Sequence, residues 1–277
     1  MGDPCRGYQW DINKMMVQVS SLNQYSFCPR IIYLSKILKL KPEFSPERSR
    51  GLISHAIRRE LSMRQSKLLG KIRDVNDLNS TLVEELDRIL EDAPHIYKGF
   101  LGEVEYNRYL PEIRSEILHE IGIMGTKLRF MVEEIGFERA LMTIIPWKVE
   151  YTVRSKKLRL SGRIDKVMRN PSYTPVEIKT SSVPDGIWAG DRLQICAYAM
   201  LLEDRFNLKE PIPFGFVEYT RAQERRPVMT TEELRRKVLE TRDEIIDIFN
   251  GDIPEICPHG NGKKCRSCCY KGQCYDV

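Results

Sequence analysis

The sequence contains no long apolar run. No stretch approaches the roughly 20 residues a membrane-spanning helix needs, and the N-terminus has no long apolar signal core. A membrane location is therefore not expected, and a cytoplasmic one is. No G-x-x-x-x-G-K-S/T phosphate-binding loop is present, so a helicase on this chain is not expected. There is no internal repeat and no low-complexity tract. A strong charge of one sign is also missing. A net +5 on 277 residues is too mild to argue for a nucleic-acid partner alone.

What is present fits one large domain or two small ones, with 42% hydrophobic residues for a core and 30% charged residues for a surface. The charge is unevenly spread. Residues 65–143 hold 10 basic and 15 acidic residues, which leaves a net +10 on the rest, as a phosphate-binding surface requires. Eight cysteines occur, and five of them (Cys257, Cys265, Cys268, Cys269, Cys274) fall in the last 21 residues. In a reducing compartment such a cluster binds metal more often than it forms disulfides.

The chain is organised around residues 158–198. Two strand-like runs meet at a turn-rich link, Arg169 to Pro175, and a helix-like run follows. The first strand carries Asp165 behind Gly162. The second carries Glu177 and Lys179, which share a face because strand side chains alternate, with Ile178 directed into the core. Carboxylate oxygens are hard ligands suited to Mg²⁺ or Mn²⁺. A lysine beside them stabilises charge developing on a phosphate. The E-x-K triplet alone is weak, because exposed strands often carry such pairs. The ordered series G-x-x-D, E-I-K and Q-x-x-x-Y (Gln194, Tyr198) is more specific. Gln194 and Tyr198, four apart on a helix, share one face and are expected to meet the strand or the attacking water.

Elsewhere, Ser21 to Leu40 reads as a helix with a Ser21/Gln24 capping box and a break at Pro29. Pro42 and Pro46 mark a linker. Arg50 to Leu69 reads as a helix, with Arg58 and Arg59 facing phosphate or solvent. Residues 75–140 read as mostly helical, broken at Gly122, Gly125 and Gly136, with a loop from Ala93 to Pro111. Strands are expected over Ile144 to Val153, Lys157 to Met168, Pro213 to Thr220 and Arg225 to Met229. Glu150 reads as an exposed strand carboxylate, with an auxiliary acid near the metal as the alternative. A loop from Thr180 to Gly190 holds Trp188. Helices follow over Asp191 to Arg205 and over Thr230 to Asn250, the latter with a Thr230/Glu233 capping box and Gly251 as its stop. In the tail, Cys265-x2-Cys268 is a metal-knuckle spacing. The fourth ligand beside Cys265, Cys268 and Cys274 is either Cys28, from the other end of the chain, or Cys257 or Cys269 in a local zinc site.

The central stretch resembles the PD-(D/E)XK nuclease core in its RecB-like branch. With Tyr25-x-x-Cys28-Pro-Arg and Cys265-x2-Cys268-x5-Cys274 added, the chain resembles the CRISPR-associated RecB-like exonucleases that carry an iron–sulfur cluster. The resemblance implies an α/β fold with a mixed central sheet flanked by helices. It divides the chain into an N-terminal helical part (1–64), a helical insert (65–143), a nuclease core (144–250) and a cysteine tail (251–277).

It further implies a metal-dependent DNA exonuclease that favours single strands and prepares DNA ends for spacer acquisition. A repair nuclease of the same fold and a non-catalytic DNA-binding scaffold are the alternatives. His55, Asp165, Glu177 and the Ile178 carbonyl would hold Mg²⁺ or Mn²⁺. Lys179 would orient water or stabilise the transition state, Gln194 and Tyr198 would position the strand, and Trp188 or Tyr198 would stack a base. Cys28, Cys265, Cys268 and Cys274 would bind a 4Fe–4S cluster, with 2Fe–2S or zinc as alternatives. DNA, a spacer-integrase complex and a second copy of the chain are the implied partners.

Overall fold

A computed structural model describes residues 16–276 apart from 44, 69–70, 97–102, 170, 182 and 257–261. Residues 1–15, with Cys5, and Cys257 in the tail lie outside the described residues.

The chain has a mixed α/β fold. The sheet runs β1 (Val17–Gln18), β3 (Leu160–Arg169), β4 (Tyr173–Lys179), β5 (Phe214–Tyr219) and β6 (Glu224–Met229), with β2 (Lys148–Ser155) also paired to β3. The β1–β3 and β4–β5 pairs are parallel and the others antiparallel. Strand β3 sets the site. β2 follows one of its edges from Leu160 to Val167, while β1 and β4 share the other, at Leu160–Ser161 and Lys166–Arg169. Between those two pairings, Gly162 to Asp165 has no ladder partner on that edge. The G-x-x-D motif fills this gap.

Helices α1 (Val19–Phe27), α7 (Ala189–Phe206) and α8 (Glu232–Phe249) pack with the sheet around a core that includes Leu22, Ile164, Val167, Leu201 and Ile245. Gly162 permits the close fit, because a Cβ there would meet the Tyr198 ring at 2.7 Å and Val19 at 3.1 Å. Helix α1 starts at Val19, and its Gln18 cap makes no side-chain bond. The expected Ser21/Gln24 capping box therefore does not form, and Ser21 is buried. The break at Pro29 does form. Cys28 is extended (φ −161°), and Pro29 opens the short α2 (Pro29–Ile32), which runs into a π-helical turn, Tyr33–Ile37.

A helical lobe has its own core. It consists of α3 (Pro46–Leu68), α4 (Val75–Ile96), α5 (Glu103–Ile135) and α6 (Phe137–Ile144), packed through Ile53, Ile57, Leu82, Leu86 and Ile117. Helix α3 begins earlier than expected, because Ser45 Oγ accepts the Arg48 N–H at 3.2 Å and Pro46 takes the first turn. It runs through the boundary expected at 64–65. Arg58 is not a phosphate contact. It is 3% exposed and bonds Glu116 at 3.1 Å and Glu120 at 2.5 Å on α5.

Helix α5 passes through Gly122 and Gly125 and ends only at Gly136, whose φ is +79°. Gly125 abuts Asn79, so a close approach of helices explains the residue better than a break. The loop expected from Ala93 to Pro111 is helical on both flanks, and Tyr106 Oη donates to the Leu90 carbonyl at 2.7 Å. Thr231, not Thr230, caps α8, while Thr230 Oγ1 donates to the Ile212 carbonyl. Two short helices, α9 (Gly262–Arg266) and α10 (Lys271–Tyr275), form the tail. No helix among the described residues is long and apolar enough to cross a membrane.

Candidate active site

Asp165 lies where the ladder fails on both sides of β3. Toward β4, pairing stops at Lys166–Val176, and the Asp165 carboxylate replaces it by accepting the Ile178 N–H at 2.8 Å. Toward β2, the register runs through Val149–Lys166 and resumes at Tyr151–Ile164. Glu150, opposite Asp165, has a φ of +51°. That left-handed conformation is costly for a residue with a side chain, and strain of this kind gathers at functional sites.

It brings Glu150 inward. A ligand atom from each of His55, Glu150 and Asp165 lies within 4.8 Å of the others. His55 Nε2 is 3.3 Å from Asp165 Oδ1. Glu150 is therefore not the exposed strand acid expected. Its side chain is 11% exposed, and Oε2 lies 2.7 Å from Arg163 Nε.

Glu177 and Lys179 share a face of β4, as alternation requires, and that face meets α7. Ile178 is 5% exposed and pairs across β5 with Glu218, on the opposite face. Glu177 is not part of the close trio. Its Oε1 accepts from Gln194 Nε2 at 2.7 Å and from Lys179 Nζ at 3.2 Å, while Oε2 is buried with no hydrogen-bond partner. A buried carboxylate oxygen left bare is what a hard cation would satisfy. The donor set of imidazole and carboxylates fits Mg²⁺ or Mn²⁺.

The electrostatics follow from this packing. Burial pushes the Glu177 carboxyl up to about 8, and the neighbouring Asp165 charge adds to the shift. Burial would also raise Asp165, but the His55 contact and the Ile178 N–H outweigh it and hold that carboxyl below its ordinary range. The two carboxyls therefore do not ionise independently, and burial weights protonation of the pair toward Glu177. The hydrogen bond to Asp165 raises His55, against burial. Burial opposes the Lys179 ammonium, yet Glu177 and Asp191 together raise its pKa.

Gln194 and Tyr198 do not face a substrate. Gln194 is 4% exposed and its amide is fully used: Nε2 donates to Glu177 and Tyr198, and Oε1 accepts from Lys179 at 3.0 Å and Asn23 at 3.3 Å. Tyr198 Oη donates to the Arg163 carbonyl at 3.0 Å, and its ring lies under Gly162. A buried ring has no face left for a base, so Tyr198 does not stack. Both residues position the acids.

Sequence reasoning missed two members of this network. Asp191 is 5% exposed and holds Lys179 Nζ at 3.0 Å, and Asn23 Nδ2 donates to Asp191 at 2.6 Å. Gly190 permits this, since a Cβ there would meet the Asn23 backbone at 3.0 Å.

A second site lies at the far end of α1. Cys28, Cys265, Cys268 and Cys274 line one cavity of about 310 Å³ with Phe27, Ile256 and Tyr275. Cys269 is not in its wall. Instead its carbonyl accepts the Glu43 N–H at 2.7 Å. All six described cysteines are free thiols. Burial raises the Cys268 thiol, and the nearby Cys269, Cys28 and Cys274 add to the shift.

A sheet gapped at an aspartate, with Glu-x-Lys on the next strand, defines a PD-(D/E)XK nuclease. The family model described as PD-(D/E)XK nuclease superfamily matches residues 17–275, and the chain belongs to that superfamily. It is a hydrolytic nuclease of a family that uses divalent metals. The chain is also similar to the CRISPR-associated exonuclease Cas4 of Francisella tularensis subsp. novicida, at 22% identity over 266 residues, covering 95% of this chain and 96% of that one.

Proposed function

We propose that the chain is a cytoplasmic, metal-dependent exodeoxyribonuclease that acts on single-stranded DNA ends in CRISPR adaptation, beside a spacer integrase. The observation that carries the catalytic part is the convergence at Asp165: His55 and Glu150 within reach, Glu177 one strand away with a bare oxygen, and Lys179 fixed beside it. The adaptation role is supported by the similarity to the Cas4 exonuclease along nearly the whole of both chains.

His55, Glu150, Asp165, Glu177 Oε2 and the Ile178 carbonyl would hold Mg²⁺ or Mn²⁺. When bound, the ion polarises the scissile phosphate and lowers the pKa of water beside it. The protein does the rest. Lys179, kept protonated, meets the negative charge that develops on the phosphate. Gln194 fixes the bearing of Glu177 and Lys179 together. Ile178 N–H and His55 keep Asp165 ionised.

The cysteine cavity would hold an iron–sulfur cluster. Its support is that Cys28 and three tail cysteines meet in one cavity wall, the four thiolates that an iron–sulfur cluster or a zinc ion takes.

The decisive assay uses end-labelled single- and double-stranded DNA with Mg²⁺ or Mn²⁺. The wild type should shorten single strands from an end. Asp165→Ala and Lys179→Ala should lose at least about 10²–10³-fold in rate. Full cutting by either variant would falsify the site. Salt-dependent DNA binding without any cleavage would replace the enzyme with a scaffold.

A further inference from the structure

We propose that Trp188 and Arg192 form a single-strand grip beside the active site, the indole stacking on one unpaired base and the guanidinium taking a neighbouring phosphate. This rests on the nuclease reading above and adds where the strand is held.

Trp188 is 66% exposed, yet the loop that carries it is fixed. Val183 and Ile187 pack against Val217, Tyr219 and Val228. Arg226 Nη1 donates to the carbonyls of Pro184 and Gly186, each at 2.7 Å, and Glu224 holds the same guanidinium at 2.7 Å. The chain turns Ile187 inward and leaves the next residue, its largest, in water. A ring presented on an anchored backbone loses little freedom when a base covers it.

Trp188 caps α7, and its carbonyl accepts the Arg192 N–H at 3.0 Å. The two residues therefore sit at the two ends of the first turn of α7. Arg192 is exposed and makes no ion pair or side-chain hydrogen bond among the described residues. Within that same turn, Asp191 points the other way and holds Lys179. The grip thus stands on the same helical turn as Asp191, the residue that holds the active-site lysine of β4.

An indole can cover only a base whose face is open, which excludes paired duplex and selects single strands or frayed ends. Stacking is tolerant of sequence, as an end-trimming enzyme needs.

The test is anisotropy of a labelled short thymidine strand in EDTA, with an abasic strand of equal length beside it. Trp188→Ala should weaken binding to the thymidine strand about 5- to 150-fold and leave the abasic strand unchanged. Trp188→Phe should retain most of the affinity. Arg192→Ala should weaken both strands and flatten the salt slope by about 0.7. The grip is overturned if Trp188→Ala binds the thymidine strand as tightly as wild type, or loses equally on both strands. Cleavage by the wild type with Mn²⁺ separates the two proposals. If it cuts while Trp188→Ala binds normally, only the grip fails. If it never cuts but Trp188→Ala loses binding, the grip stands and the nuclease reading fails.

Discussion

The acidic centre and the cysteine cavity are joined by one helix and built in opposite ways. Asn23, in the middle of α1, reaches the acids through Asp191, and Cys28 ends the same helix in the cavity wall. The acids stand on sheet strands and α7, and their hydrogen bonds are nearly complete without a metal. Cys265 and Cys274 stand on helices of five residues each, far below the length at which a helix holds itself together, and Cys268 lies in the link between them. A few bonds dock this tail, such as Arg30 to the Pro254 carbonyl at 2.8 Å and Gln273 to the Lys41 carbonyl at 3.2 Å. One site has a structure that a metal completes. The other, under the reading proposed above, would depend on a bound group for much of its structure.

The largest expected effect breaks this contrast from the cysteine side. Protein purified without oxygen should carry iron and acid-labile sulfide, and Cys28→Ser or Cys265→Ser should lose both. With the group gone, residues beyond Gly251 should become an early target of limited proteolysis, since bound metal supplies folding free energy outright in small sites of this kind. Mn²⁺ affinity at the acids should stay within a few-fold. Stoichiometric zinc without sulfide would remove the cluster, and a parallel collapse of Mn²⁺ affinity would show that α1 couples the sites.

The contrast also explains what could be read from the sequence. Strand alternation placed Glu177 and Lys179 together, and the spacing to Gln194 put its helix over them. Both are local signals, as is the break at Pro29. Its place on the first strand raised Glu150 only as an alternative, because its inward turn comes from a φ of +51° that periodicity cannot express. The Asn23–Asp191 bond joins residues 168 positions apart and leaves no trace in either neighbourhood. Gly122 and Gly125 misled in the other direction, since packing of α5 in the lobe overrides their weak helix propensity.

A second test sharpens the acidic side through pH. With Glu177 raised to about 8, the metal-free protein carries a proton where the ion would bind. Mn²⁺ binding must expel it, so affinity should rise about tenfold per pH unit below 8 and level off above. The raised His55 steepens the slope in the same direction. Calorimetry in two buffers of different ionisation enthalpy reads the released proton directly. Stability of the metal-free protein should fall as pH rises from the ordinary glutamate range, about 4.3, toward 8, because the folded chain keeps a proton that the unfolded chain has lost. Glu177→Gln should abolish that component of the fall. Affinity that ignores pH between 6 and 8 would mean that Glu177 does not face the ion.

The smallest effect expected is the most telling about how the acidic centre is organised. Asp191→Asn keeps the shape of the side chain and removes its charge. Lys179 then retains Glu177 at 3.2 Å and Gln194 at 3.0 Å but loses its contact with the Asp191 carboxylate, 3.0 Å away. Asp191 is a full negative charge in direct contact with the ammonium, and unlike Glu177 it is not shared with the ion, so its loss should let Lys179 swing. Supporting residues of this type typically cost 10- to 100-fold when replaced, and kcat should fall by about tenfold. KM for DNA and the affinity for Mn²⁺ should hardly move, because Asp191 touches neither. Asn23→Ala, one step further out, should cost less than Asp191→Asn in the same sense, because it removes one donor to the Asp191 carboxylate and leaves the charge beside Lys179 in place. A rise in KM with kcat intact would instead make Asp191 part of the strand-binding surface. That outcome would tie its role to Trp188 and Arg192 rather than to Lys179.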